Sequence, residues 1–448
     1  MLTIADAESR TADLIAAARK AGADAADALY AGSGSTQVSI RLGALEDVER
    51  SEGEEIGLRV FVGSRSASVS SSDLSSDALS ALVERAVAMA REAPEDQWAG
   101  LAPEDRLLRG DAPNVDGDDG ADPSPAILRE RALAAEDAAR AVAGVTNSEG
   151  AGSSASRSVI ALATSTGFTR GYATTGYGCS ASVIAGEGGA MQRDYAYNSS
   201  RHFADLEDAT AIGARAGNRA VKRLNPGKLS SGALPVVYDP RVSSGLLGHL
   251  IGAITGGAIA RKTSFLLDAL DTQVFAKGIT VRDDPLRPRG LRSKPFDGEG
   301  LPTAPRDIIA DGVLTGWLID SASALQLGLQ PTGHATRGVG GPPGTSATNL
   351  YLGAGTLSVD ELIADIKLGV YVTELIGQGV NGVTGDYSRG ASGFVIRDGQ
   401  IAEPVAEITV AGNLRDMFAQ LVPASDLEFR RAIDAPTVRI EGMMVAGA

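Results

Sequence analysis

Core-type positions near the start of the chain, Ile4, Ala7, Thr11, Leu14, Ile15 and Ala18, recur at three- and four-residue steps. The spacing predicts an Ala-rich amphipathic helix over 4–29. From 28 to 72 the period changes to two, as in Gln37-Val38-Ser39-Ile40-Arg41 and Gly57-Leu58-Arg59-Val60-Phe61-Val62, with Gly and Ser at the breaks. That alternation predicts an antiparallel meander. A second helix over 73–92, carried by Leu74, Ala78, Leu82, Val83 and Ala86, completes a helix-strands-helix unit at 1–95.

Residues 93–125 hold two copies of Ala-Pro-Glu-Asp and an acidic, turn-rich run, a pattern expected of a solvated connection. The periodic pattern resumes with a helix over 125–143, strands at 158–163 and 169–173, and a helix over 205–224 that stops at Asn225-Pro226-Gly227. These make a central strand-rich unit at 123–226. The third unit, 232–448, opens with a strand at 233–238 and a glycine-rich helix. It continues through turn-rich strands and a helix near 358–366 to further strands. The expected fold class is α+β, with mixed, largely antiparallel sheets and flanking helices, and no internal repeat of solenoid length emerges.

A chain of 448 residues with 43% hydrophobic and 22% charged residues is globular and needs more than one core. Its net charge of −15 sets the molecular field against phosphate backbones and anionic bilayers, so neither nucleic acid nor membrane is an expected partner. The opening residues 1–10 lack a basic segment followed by an apolar one, and no apolar run approaches the length of a span. A cytoplasmic location is expected. The single cysteine, Cys179, cannot form an internal disulfide and reads as a small core residue.

The chain has three histidines, His202, His249 and His334. None is followed by Glu, and no two lie four or five residues apart, so the zincin pattern of two imidazoles on one helical face cannot be written. Asp116-Gly117-Asp118-Asp119-Gly120 lacks the ligand spacing of a calcium loop. Gly390-Ala391-Ser392-Gly393 has the wrong spacing for a nucleophile elbow, Gly227-Lys228 is no phosphate loop, and Gly338-Val339-Gly340-Gly341 runs into two prolines rather than a helix.

One segment is unusual. In 246–257, Gly248, Gly252 and Gly256 repeat every four positions and would line one helical face. Each interior Gly costs a helix roughly 1 kcal/mol relative to Ala, so the stripe needs a reason. Either another element approaches closely, or the helix borders a cleft.

That segment, together with Ser264-Phe265-Leu266, Gln273-Val274-Phe275, Asp283-Asp284-Pro285, Pro288-Arg289-Gly290-Leu291, Pro295-Phe296-Asp297-Gly298-Glu299-Gly300 and Asp311-Gly312-Val313-Leu314, resembles the TldD/PmbA family. The later runs Gly382-Val383-Thr384-Gly385-Asp386-Tyr387-Ser388-Arg389-Gly390-Ala391-Ser392-Gly393-Phe394 and Glu407-Ile408-Thr409-Val410-Ala411-Gly412-Asn413-Leu414 fit as well, as does Ala155-Ser156-Arg157-Ser158. The likeness spans nearly the whole chain, and its closer match is the PmbA branch, also called TldE.

The resemblance implies a metallopeptidase assembly in which a TldD-type subunit holds zinc on a His-Glu-x-x-x-His helix and a PmbA-type subunit pairs with it. On this chain those helix positions fall at Gly248, His249 and Ala253, so no catalytic or metal role carries over. The family's late ligand cysteine has no counterpart either. The likeness thus implies a non-metal-binding subunit that acts on unfolded or leader peptides, with zinc in the partner and a homodimer as the form open to the chain when the partner is missing. The expected cleft-lining residues are Gly252, Gly256 and His334. Two alternatives stand beside this: a stand-alone peptidase recruiting metal through His249 or His334, and a non-enzymatic regulator of a target such as gyrase.

Overall fold

The computed structural model describes residues 1–447. Helix α1 (Ile4–Lys20) is N-capped by Thr3 and buries Ala7, Thr11, Leu14, Ile15 and Ala18. It stops at Lys20 rather than at 29 because Gly22 turns the chain at a φ of 101° and Ala25 already begins β1 (Ala25–Arg41). Strands β1, β2 (Ala44–Val62) and β3 (Arg65–Ser71) form an antiparallel meander, and α2 (Ser76–Glu92) follows. Helix α3 (Pro125–Arg140) leads to β4 (Val145–Thr164), β5 (Thr169–Ala185), β6 (Gln192–Ser200) and α4 (Ala209–Lys222). Because β1 pairs with β4 along most of its length, the two meanders merge into one sheet in the order β3-β2-β1-β4-β5-β6.

Alternation along β1 explains the layers. Ala26, Ala28 and Tyr30 enter the core under α1 and α2, whereas Val38 and Ile40, of the same parity, enter the core under α3. Leu29 points to the opposite face, where it meets Leu162, Phe168, Phe296 and Leu301, so that face receives the C-terminal unit. Helix α4 packs on α3 through glycine. A Cβ added at Gly217 would meet Val142 Cγ2 at 2.6 Å and the Ala139 carbonyl oxygen at 2.7 Å.

The C-terminal unit begins with β7 (Gly232–Tyr238), α5 (Pro240–Ile254) and α6 (Gly256–Ala260). Short elements follow: β8 (Val281–Asp283), β9 (Arg306–Ala310), β10 (Val313–Leu314), α7 (Ser321–Leu327), β11 (Ala335–Thr336), β12 (Gly344–Thr345), β13 (Leu350–Leu352) and α8 (Val359–Ile363). Then come β14 (Leu368–Val380), β15 (Asp386–Arg397), β16 (Gln400–Asn413), α9 (Leu414–Gln420), β17 (Val422–Pro423), β18 (Ile433–Asp434) and β19 (Val438–Ala446). Strands β14, β15 and β16 are antiparallel neighbours, and β7 joins β14 in parallel. Strand β19 pairs with β7 on one side and with β16 on the other, which closes β16-β15-β14-β7-β19 into a ring. Val236, Val370, Val410, Ile440 and Val445 share one core with Leu246, Leu247, Leu250 and Ile254 of α5.

A buried polar contact joins this unit to the N-terminal sheet. Asp27 of β1 pairs with Arg59 of β2, whose Nε donates at 3.0 Å, and with Arg337, which follows β11. Burial pushes the Asp27 carboxyl up, but the Arg59 and Arg337 guanidiniums outweigh it and hold the group below the usual carboxylate range.

Candidate functional site: an open glycine face beside a charged cleft

Helix α5 starts where Asp239 caps it. The carboxylate accepts from the Arg241 N–H at 2.9 Å, Pro240 occupies the first turn, and the Tyr371 hydroxyl donates to the other carboxylate oxygen at 3.0 Å. The helix ends because Thr255 turns extended, at a ψ of 138°, and caps α6 instead.

Leu246, Leu247, Leu250, Ala253 and Ile254 are buried. Gly245, Gly248 and Gly252 lie exposed on the other side, and a Cβ added at any of them meets nothing within 4 Å. The glycine stripe is therefore of two kinds. Gly256 is buried, and its added Cβ would meet Ser323 Cβ at 2.6 Å, so close packing accounts for it. At Gly248 and Gly252 no neighbour asks for glycine, and their bare backbone borders open space.

His249 is half-buried, with its ring edge-on to Tyr387 at 5.9 Å. Burial, and after it the Arg389 guanidinium, push the imidazole below its ordinary range, so the ring is neutral at pH 7. A neutral imidazole can bind a metal, but a cation beside it opposes one and the helix supplies no second ligand. The residues present do not fit a zinc ion here. Among the described residues no group of three or more His, Cys, Asp or Glu has the disposition of a metal site.

His334 is placed differently from expectation. It is buried, with Nδ1 2.9 Å from the Thr332 hydroxyl and Nε2 3.3 Å from the Asp283 carboxylate. Asp283 in turn accepts from the Thr348 N–H and hydroxyl at 2.8 and 2.9 Å. Neither His334 nor Gly256 lines the open face, since interior packing covers both. His202 lies elsewhere, against Asp116, and Cys179 sits in the alanine-rich core under α4. The aspartates of 116–119 are taken up by the protein: Asp116 pairs with Arg289, Asp118 with Arg157, and Asp119 accepts from Tyr177 and the Phe203 N–H.

Beside the N-terminal half of α5 lies a cavity of about 440 Å³. Ser244 and Gly245 form one wall, and Asp194 and Tyr195 of β6, Glu374 of β14 and Arg389 of β15 form others. Arg241 donates to Asp194 at 2.7 Å, and Arg223 bridges Asp194 and Glu374. Chemically the arrangement offers room for an extended chain and guanidinium donors. Arg241 and Arg389 belong to no metal or nucleophile motif, so the sequence patterns pass over them. The signal for Arg389 was the two-residue step from Tyr387, which sets both on one face of a strand.

Solved structures with this architecture exist. A Bacteroides thetaiotaomicron protein described as a modulator of DNA gyrase superposes with a TM-score of 0.92 over 100% of both chains, at 28% identity. TldE from Thermococcus kodakarensis shares the fold, with a TM-score of 0.87 over 98% of this chain and 100% of that one, at 21% identity. The class is that of the three-part metallopeptidase fold: residues 26–90, 118–224 and 231–447 match domain 1, the central domain and the C-terminal domain of the PmbA/TldA metallopeptidases. Metalloprotease PmbA of Escherichia coli O157:H7 is 41% identical over 426 residues, covering 95% of this chain and 92% of that protein. The PmbA homolog of Haemophilus influenzae is 38% identical over 432 residues, covering 96% and 94%. The chain belongs to the PmbA/TldD family of metallopeptidases.

Proposed function

We propose that this chain is the non-metal-binding, TldE-type subunit of a heteromeric zinc peptidase that acts on unfolded or leader peptides in the cytoplasm. The observation that carries the reading is the outward face of α5, where Gly248 and Gly252 present bare backbone and His249 has a cation, not a carboxylate, for its charged neighbour. Activating water at neutral pH needs a metal that lowers the pKa of bound water and a base that guides attack. This helix offers neither; it offers space. Residues Ile376 and Val383, 60% and 55% exposed around the turn between β14 and β15, add apolar surface on which a partner subunit would close the cleft.

The test is to purify the chain alone and with a TldD-type subunit, measure zinc per chain, and assay cleavage of casein or an unfolded peptide. Co-elution and cleavage only in the mixture, with zinc confined to the partner, is the expected result. Stoichiometric zinc and cleavage by this chain alone would replace the reading with a stand-alone peptidase. Pairing without any cleavage would favour a regulatory protein.

A further inference from the structure

The cleft against α5 carries more positive charge than its internal ion pairs use. A second cavity of about 510 Å³ shares Asp194, Arg223, Arg241 and Thr373 with the one of about 440 Å³, so the two form one cleft between β6, α4, the first turn of α5 and β14. Its three carboxylates are all engaged. Asp194 holds Arg241 at 2.7 Å and Arg223 at 3.5 Å, Glu374 holds Arg223, and Asp239 caps α5 and accepts from Tyr371.

Three other cations in the same walls have no carboxylate within ion-pair distance among the described residues. Arg219 donates to the Tyr195 carbonyl at 3.3 Å, Arg389 donates to the Ile376 carbonyl at 3.3 Å, and Lys222 is exposed. Burial, and next the Arg241 guanidinium, push Arg219 below its ordinary range, against the smaller opposing pull of Asp239 and Asp194. A guanidinium that gives one N–H to a neutral carbonyl keeps a fork of donors for a carboxylate. Such a local excess is notable in a chain with a net charge of −15.

We infer that this cleft binds carboxylate-bearing peptide segments, through acidic side chains or a free C-terminus, and so selects anionic peptides for the α5 face. A nucleic acid would bring many phosphates against the acidic surface of the whole molecule, whereas a short peptide needs only the cleft. The inference deepens the peptidase reading and rests on it for its biological meaning. Its test does not involve the partner, so failure of pairing and failure of binding are read separately.

The experiment is fluorescence anisotropy on the full chain alone, with unstructured peptides of one length that are Glu-rich, Gln-rich or Lys-rich, and a single-stranded oligonucleotide as a further probe. The Glu-rich peptide is expected to bind at least about ten-fold tighter than the Gln-rich one, the worth of one charge-assisted hydrogen bond. Free and amidated C-termini on the Gln-rich peptide separate the two carboxylate sources, either of which supports the inference. Arg389→Gln should weaken binding of the carboxylate peptide about ten-fold or more. The exposed Lys222→Glu, which leaves the fold's ion pairs in place, should weaken it in the same direction. Equal affinity for Glu-rich and Lys-rich peptides, tighter binding of the oligonucleotide, or no binding of any peptide would overturn the inference.

Discussion

Asp27 and Arg337, 310 residues apart in the chain, meet at 2.5 Å in a buried ion pair that locks the N-terminal sheet to the C-terminal unit. The carboxylate also holds Arg59, so one buried anion compensates two buried cations.

Replacing Asp27 with Ala leaves both guanidiniums buried and uncompensated, a change that costs about 3–5 kcal/mol in comparable pairs. Chemical denaturation should report that loss. Removing Arg337 in the Asp27→Ala background should restore part of it, and two additive losses would show that the residues do not interact.

The two kinds of glycine respond oppositely to a methyl group. Gly248→Ala adds a Cβ into open space and should stabilise by up to about 1 kcal/mol through helix propensity. Gly217→Ala drives its Cβ into α3 and should destabilise by about 1–3 kcal/mol, as overpacking does. Thermal unfolding of the two variants separates them by sign.

A bulky side chain on the open face tests function rather than fold. Gly248→Phe should leave the melting temperature of the isolated chain near that of the parent. In the mixture with a TldD-type subunit, cleavage of an unfolded peptide should fall at least about ten-fold, equivalent to about 1.4 kcal/mol of lost transition-state stabilisation. Undiminished cleavage would mean that this face lies off the substrate path.

Glu299 sets a pH dependence. Burial, and then Asp297, raise its carboxyl to about 7 from 4.5, while the Ser321 N–H and hydroxyl donate to it at 2.9 and 2.8 Å. The unfolded chain releases this proton first, so stability falls as pH rises from about 4.5 to about 7 and is level above, by up to about 3 kcal/mol. Glu299→Gln should match the parent near pH 5 and exceed it at pH 8 in denaturant titrations. Parallel pH profiles of the two proteins would refute a buried, proton-holding Glu299.

Periodicity gave the longer helices and the meander because those depend on neighbours in sequence, whereas the short α6, α7 and α9 span too few turns to show a pattern. It overran α1, since Ala21, Ala23, Ala25 and Ala26 suit either element and only Gly22 breaks the run. That β1 would pair with β4, more than a hundred residues on, lay outside any local pattern. The glycine stripe was legible, but its division was not. Gly256 is packed because Ser323 arrives from another helix, and Gly248 is open because nothing arrives at all. Likewise, the arginines of the cleft come from separate segments, and each alone looks like an ordinary surface residue.

Ring closure in the C-terminal unit has a consequence for biosynthesis. Strand β7 emerges from the ribosome about two hundred residues before β19, its antiparallel neighbour, and its parallel neighbour β14 is also late. Until residues 438–446 have been made, β7 has an unpaired edge and the ring it belongs to stays open. The N-terminal sheet, whose strands are all in hand by Ser200, can assemble early, while the ring that supplies the α5 wall of the cleft waits for its last strand.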